Sequence, residues 1–350
     1  MPLNKEEYEF YDRQLILPEF GEVSQLKLKQ AKVLVVGAGG LGCPVLQYLT
    51  AAGVGTIGIA DDDVVSISNL HRQVLFSMDD AGKLKAVIAQ EKLQRLNPNV
   101  GFDVYAEKIT SQNAIEIISG YDIVVDGTDN FPAKYLLNDA CVIAGKILVY
   151  GSILRYEGQV SVFNHQSKIN YRDLFPLPPS NVPNCAEAGV LGSLCGIIGS
   201  IQANEVIKLI AGNGEVLDGK LLCYNAQKNG IEIFKLKRDP LQKAITKLID
   251  YDIFCGLKDA EIKEISEAEL QEMKAANVEF QLIDVREPWE KELEDQKGGL
   301  LIPLAEIENH LDQIARDKKV VFYCRSGSRS RQAILQLQKK GFNNLFNLAG

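Results

Sequence analysis

Between residues 32 and 151, short apolar runs alternate with segments of helical period, and this pattern restricts the fold more than any other feature. Runs at 32–36, 55–60, 101–106, 121–126 and 146–150 read as strands, and 85–96 and 132–144 as helices. Such alternation predicts an α/β fold with a mostly parallel sheet and helices on both faces, because each helix returns the chain to start the next strand. A further run at 158–163 and a proline-rich stretch at 175–183 break the pattern. A long helix near 189–211 and strands at 220–224 and 231–236 follow. After a stretch of weak periodicity at 237–260, a second, smaller alternation begins. It has strands at 280–284, near Leu300 and at 319–323, and helices near 304–315 and 328–340. Two domains are therefore expected, in keeping with 350 residues.

Composition narrows the function classes. Apolar residues at 46% and charged residues at 24% exclude a fibrous or largely disordered chain. Acidic residues outnumber basic ones, 46 to 38, for a net charge of -8, which speaks against nucleic-acid or anionic-membrane partners. Residues 1–15 lack the basic flank and apolar stretch of a secretory signal, so a cytoplasmic protein is expected. The longest uncharged run, 188–204, is shorter than the ~20 residues of a membrane span and is broken by glycines and serines. It reads as a buried helix. Seven cysteines form no C-x-x-C pair, so neither a disulfide framework nor a four-cysteine zinc site is expected.

The first strand runs into Gly37-Ala38-Gly39-Gly40-Leu41-Gly42, where glycines let the backbone approach a phosphate at a helix N-terminus. Asp61 ends the next strand, 19 residues past Gly42, at the reach of a ribose hydroxyl. A nucleotide site is expected. A triphosphate under attack needs cations around the developing charge, whereas a dinucleotide cofactor relies on amides and the helix dipole. Arg72, Lys85 and Arg13 could supply those cations, although each taken singly reads more readily as a solvated surface charge. Asp126-Gly127-Thr128-Asp129-Asn130 offers a carboxylate suited to magnesium, or an ordinary helix cap.

Together these residues resemble the ubiquitin-activating-type family, in its bacterial MoeB/ThiF branch. The resemblance covers about residues 6–236 and rests on motifs in family order. These are Tyr11-Asp12-Arg13-Gln14, the 37–42 loop, Asp61-Asp62-Asp63, Asn69-Leu70-His71-Arg72-Gln73, Lys85 and Thr128-Asp129-Asn130. It implies a Rossmann-like domain that uses ATP and Mg2+ to adenylate the C-terminal Gly-Gly carboxylate of a ubiquitin-like sulfur carrier of the MoaD/ThiS type. The implied ATP site comprises Gly37, Gly39, Gly40, Gly42, Asp61, Asp63, Asn69, Arg72, Gln73, Lys85, Asp129 and Asn130. Asp61 would hold the ribose, Asn69, Arg72 and Lys85 the phosphates, and Asp129 the magnesium. Arg13 would cross a homodimer into the partner's site.

Two positions matter for how far the resemblance extends. Many members hold a structural zinc with two C-x-x-C pairs, but Asn170 and Asp173 stand at the first pair and Cys255 is alone where the second is expected. No zinc is therefore expected. Cys185, after the 175–183 stretch, matches the position of a covalent link to the carrier, and a semi-buried inert thiol is the competing reading. Cys43, Cys141, Cys195 and Cys223 fall in apolar elements and read as core.

In the second alternation, strand 319–323 delivers Cys324 into Arg325-Ser326-Gly327-Ser328-Arg329, followed by a helix. Backbone amides and a helix N-terminus aimed at the sulfur would lower the thiol pKa and steady a thiolate or persulfide, while Arg325 and Arg329 would attract an anionic sulfur donor. A cysteine phosphatase would place arginine six positions after the cysteine, where Ser330 stands. The loop, with Asp284-Val285-Arg286-Glu287, resembles a rhodanese domain over about 262–350. The chain ends at 350, short of the usual final segment of such domains.

The expected organisation is an adenylyltransferase domain at 1–238, a linker at 239–261 and a rhodanese-like sulfurtransferase domain at 262–350. Catalytic roles fall to Arg13, Arg72, Lys85, Asp129, Cys185 and Cys324. The implied partners are the carrier, a second copy of the chain, and a sulfur donor such as a cysteine desulfurase or thiosulfate. An NAD(P)-dependent oxidoreductase and a non-catalytic carrier scaffold remain as alternatives. Neither the donor nor the carrier's pathway (molybdopterin, thiamine, tRNA thiolation or cysteine synthesis) is legible in the sequence.

Overall fold

The first strand, Lys32–Val36, buries Val33, Leu34, Val35 and Val36. Neighbouring residues of a strand point to opposite faces, so both faces of the sheet are covered here, as parallel sheets require. The computed structural model describes residues 2–179, 189–240, 244–256, 262–293, 297–325 and 327–348. The chain divides into two compact units, up to Ile249 and from Asp250 onward.

Among the described residues, the first unit holds eight strands: β1 Lys32–Val36, β2 Thr56–Ala60, β3 Gly101–Tyr105, β4 Ile123–Asp126, β5 Ile147–Leu154, β6 Glu157–Phe163, β7 Lys220–Asn225 and β8 Gly230–Lys235. Their order is β3-β2-β1-β4-β5-β6-β7-β8. Pairs from β3 to β5 are parallel and those from β5 to β8 antiparallel. The strand order reverses direction between β1 and β4, the topological switch point where open α/β sheets bind ligands at their carboxyl ends.

Helices Gly42–Ala52 and Phe131–Ala144 end on left-handed Gly53 and Gly145. The expected buried helix is Gly192–Ala211, packed against Gly42–Ala52, β5 and β6. Among the described residues it is the one helix long and apolar enough to cross a membrane, and half of that stretch is buried in the unit. Cys43, Cys141 and Cys195 lie in the core as expected, whereas Cys223 is only half-buried because β7 lies near the sheet's open end.

The second unit has β9 Lys263–Ile265, β10 Phe280–Asp284, β11 Leu300–Leu301, β12 Lys319–Tyr323 and β13 Leu345–Leu348, in the order β11-β10-β12-β13-β9. All pairs are parallel. Sequence reading did not assign β9 or β13. The latter pairs with both β12 and β9, so Leu345–Leu348 joins β9 to the rest of the sheet. The stretch 304–313 is 3-10 rather than α-helical, kinked at His310. The expected linker, 239–261, divides between the units: Ile249 O accepts from Ser111 Oγ at 2.7 Å, while helix Tyr251–Phe254 lies in the second unit.

Candidate active sites

In the first unit, Val36 is in register with Ala60 and Asp126, so β1, β2 and β4 end side by side. Gly37, Asp61 and Gly127 emerge together there. Gly37 has φ +93°, and a Cβ on it would lie 2.8 Å from Gly127 O. One on Gly42 would lie 1.8 Å from Gly37 O. Only glycine closes this turn and keeps the backbone bare toward a ligand.

Asp61 Oδ2 accepts from Ala38 N at 2.7 Å and Oδ1 from Asp63 N at 2.9 Å, tying the end of β2 to the glycine turn. Burial pushes the Asp61 carboxyl up, opposed by the Lys85 charge and these two amides. Lys85 opens helix Lys85–Leu96, is buried, and places Nζ 2.8 Å from Asp63 Oδ2. Gln73 donates to Asn69 Oδ1 at 2.8 Å, and its own Oε1 is buried without a partner among the described residues. The Arg72 stem lies 3.6 Å from where a Gly40 Cβ would be, and Arg72 Nη1 reaches Ser68 O at 3.4 Å. Gly37–Gly42, Asp61, Asp63, Asn69, Arg72, Gln73 and Lys85 are thus one constellation.

Asp129 follows β4. Asn130 Oδ1 caps helix Phe131–Ala144 through Ala133 N at 3.0 Å, while Asp129 is exposed and accepts only a long contact, 3.5 Å, from Asn130 Nδ2. The helix-cap reading of the 126–130 segment thus falls on Asn130, and Asp129 is left exposed. Arg13 is not in the constellation. It sits on helix Asp12–Leu15, exposed, 3.6 Å from Asp12. Neighbouring Tyr11 accepts from Asn97 at 2.8 Å and packs at Gly53, near the amino ends of β2 and β3.

Sequence reasoning missed Lys134. Its Nζ is buried and donates to Asp126 Oδ2 at 3.0 Å, Thr128 O at 3.0 Å and Gly151 O at 2.8 Å. Asp126 Oδ1 accepts from Thr128 N and Oγ1, and Gln202 donates to Asp126 O at 2.9 Å. This buried network fixes the loop that presents Asp129. The available signal was one lysine amid the apolar run of helix 131–144.

In the second unit, Asp284 pairs in register with Tyr323, so Val285-Arg286-Glu287 runs beside the loop that starts at Cys324. Cys324 is half-buried, with Sγ 3.5 Å from the buried Ser330 hydroxyl, which donates to Asn347 Oδ1 at 2.6 Å. Gly327, φ +76°, turns the loop into helix Ser328–Lys339, whose first residue is exposed. Arg325 is exposed, and Ser326 lies outside the described residues. Asp284 and Arg286 form a buried bidentate pair at 2.8–3.1 Å, which makes this motif a brace for the loop.

Arg329, expected to face the donor, instead meets Glu290 with two bonds of 2.6 and 2.7 Å. Helix Pro288–Leu293 brings that carboxylate, 39 residues away in sequence, to the loop. Arg329 holds the Glu290 carboxyl far below its ordinary 4.5, at about 2. The stabilisation is thus complete above about 4.5 and lost as pH falls to about 2. The melting temperature of wild type relative to Glu290→Gln is expected to be flat above that window and to fall steadily within it. A difference independent of pH would refute the pairing.

The ThiF family model matches residues 11–244 and the Rhodanese-like domain model residues 266–350. The chain belongs to the ThiF family. "Probable adenylyltransferase/sulfurtransferase MoeZ" of Mycobacterium tuberculosis is 43% identical over 99% of this chain and 92% of its own length. "Sulfur carrier protein adenylyltransferase" of Thermus thermophilus is 48% identical over 74% of this chain and all of its own. "Adenylyltransferase and sulfurtransferase MOCS3" of Culex quinquefasciatus is 42% identical over 96% and 83%. Among solved structures, E. coli MccB shares the fold, with a TM-score of 0.61, 24% identity and coverage of 70% of this chain and 76% of its own.

Within the ThiF frame, the positions of the first zinc pair hold a turn of hydrogen bonds. Asn170 Oδ1 accepts from Arg172 N and Asn170 N donates to Asp173 Oδ2, each at 2.9 Å. Asp173 Oδ1 then accepts from Asp239 N at 3.0 Å, joining the segment after β8 to this corner. Among the described residues, no group of three or more Cys, His, Asp or Glu is placed to hold a metal. Cys185 lies outside the described residues.

Proposed function

We propose that this ThiF-family chain adenylates the C-terminal carboxylate of a ubiquitin-like sulfur carrier and then converts it to a thiocarboxylate with a persulfide on Cys324. The observation that carries the first step is the gathering of Arg72, Lys85 and the open Asp129 around the switch-point glycine turn. A nicotinamide site would leave these groups without work. The relatives named as both adenylyltransferase and sulfurtransferase support the second step.

ATP fits the residues present. The bare turn, the Asp61 carboxylate and the orphaned, buried Gln73 Oε1 suit a nucleotide, and Asp129 pairs with no cation among the described residues. Asp129 would hold Mg2+, which when bound offsets charge on the phosphate oxygens. A carboxylate oxygen of the carrier attacks the α-phosphorus, and the bond to the bridging oxygen breaks to release pyrophosphate, whose charge Arg72 and Lys85 stabilise. The terminal sulfur of the Cys324 persulfide then attacks the acyl carbon and AMP leaves. A thiol attacking Cys324 Sγ frees the thiocarboxylate. On the route through Cys185, its thiolate displaces AMP first to form a thioester that holds the acyl group between the two steps, and the Cys324 persulfide then expels the Cys185 thiolate instead of AMP.

The position of Arg13 near the amino ends of the strands supports service to a second copy's site, hence a homodimer. The reading places the enzyme in the cytoplasm, where ATP and reduced thiols are supplied. Keeping sulfur donor and adenylate on one chain raises their effective concentration over hydrolysis. We propose no structural zinc, since Asp173 already clips the 239 segment. Metal analysis of the purified protein is expected to find well below one zinc per chain, and one tightly held zinc would overturn this.

The test is to incubate the protein with MgATP, a persulfide donor and candidate Gly-Gly-ending carriers from molybdopterin, thiamine, tRNA-thiolation and cysteine synthesis. Intact-mass spectrometry of each carrier is expected to show an adenylate and then a thiocarboxylate on one of them. Neither product on any carrier would refute the reading.

A further inference from the structure

The arginines around Cys324 are matched by carboxylates: Arg286 by Asp284, Arg329 by Glu290 and Arg331 by Glu264. Arg325, exposed at the rim, is the one arginine of the loop without an ion pair among the described residues. Glu290 is the partner of the arginine that closes the Cys324 loop. Its side chain is 15% exposed and it accepts from Glu287 N at 3.0 Å, so the carboxylate is fixed where it cancels Arg329. Arg329 in turn lies in the first turn of the helix after the Cys324 loop, next to Ser330, whose hydroxyl is 3.5 Å from the Cys324 sulfur. Trp289, the adjacent residue, is 62% exposed, an apolar anchor of the kind protein partners use.

We infer that Glu290 is a specificity-determining residue, screening the Cys324 cradle so that it disfavours small multiply charged anions and takes sulfur from a persulfide carried on a protein. The inference rests on the sulfurtransferase reading. In the favoured reaction the Cys324 thiolate attacks the outer sulfur of the donor persulfide, the donor's S–S bond breaks, and the donor thiolate leaves. With thiosulfate the same attack releases sulfite. A dianion gains far more from an uncancelled Arg329 than a singly charged or neutral group does, because the attraction scales with its charge.

The charge at the sulfur can be read without turnover. Alkylation of Cys324 in the full chain, followed by peptide mass spectrometry, is compared for iodoacetate and the neutral iodoacetamide. Glu290→Gln keeps hydrogen-bonding groups beside Arg329 and removes the charge. It is expected to raise the iodoacetate-to-iodoacetamide rate ratio roughly threefold and to lower the KM for thiosulfate roughly tenfold with little change in kcat. Arg329→Gln should lower the ratio, and the double variant should return it to the wild-type value. An unchanged ratio in Glu290→Gln, or an equal rise in the double variant, would overturn the inference. If the ratios move as expected but no variant transfers sulfur from thiosulfate or a persulfide, the charge screen stands and the sulfurtransferase reading fails.

Discussion

Asp129→Ala is expected to lower ATP–pyrophosphate exchange by roughly a thousandfold, several kcal/mol of barrier, and with it thiocarboxylate formation, while persulfide loading of Cys324 by the sulfur donor stays intact. The loop that presents Asp129 is held by other residues: Asp126 through Thr128 and Lys134, and Asn130 through its cap on Ala133. Asp129 is exposed and contributes nothing to that scaffold beyond its long contact with Asn130. The variant should therefore melt within a degree or two of wild type. Cys324→Ala should do the reverse, abolishing sulfur transfer and sparing exchange. Exchange within threefold of wild type in Asp129→Ala would remove this carboxylate from the reaction.

Lys134→Met should cost about 3–5 kcal/mol of stability, measured by denaturant unfolding. Removing one member of a buried pair leaves the other uncompensated, and Asp126 is buried to 1% exposure. Thr128 O and Gly151 O lose a donor at the same time. Where the variant is still folded, release of the 128–129 loop should also raise the Mg2+ concentration needed for half-maximal exchange. Lys134→Arg, which keeps charge and donors, should recover most of both losses. A cost below about 1 kcal/mol would show that Lys134 is not paired as described.

What the sequence disclosed followed from period and spacing. β1, β4 and β12 are apolar runs bounded by turn residues, and the 37–42 turn has a strand before it and a helix after it. These features are local. β9 is three residues long with two exposed, so no alternation could mark it, and its place depends on β13, more than 80 residues later. Lys134 in a helical stretch reads as a surface cation, because only the fold brings Asp126 and Gly151 beneath it. Arg329 reads as a free cation for the same reason, since Glu290 arrives from another element. Residue types that could do chemistry were visible, whereas the partners that restrain them were not.

The place of β13 has a consequence for biosynthesis. Among the described residues, Lys263–Ile265 finds its strand partner in Leu345–Leu348 alone. During translation that edge must wait, unpaired, until residues up to Leu348 have cleared the ribosome, by which time the residues up to Ile249 are free to fold. A nascent chain stalled before Leu345 would thus pair a finished nucleotide-binding unit with an unfinished, aggregation-prone tail.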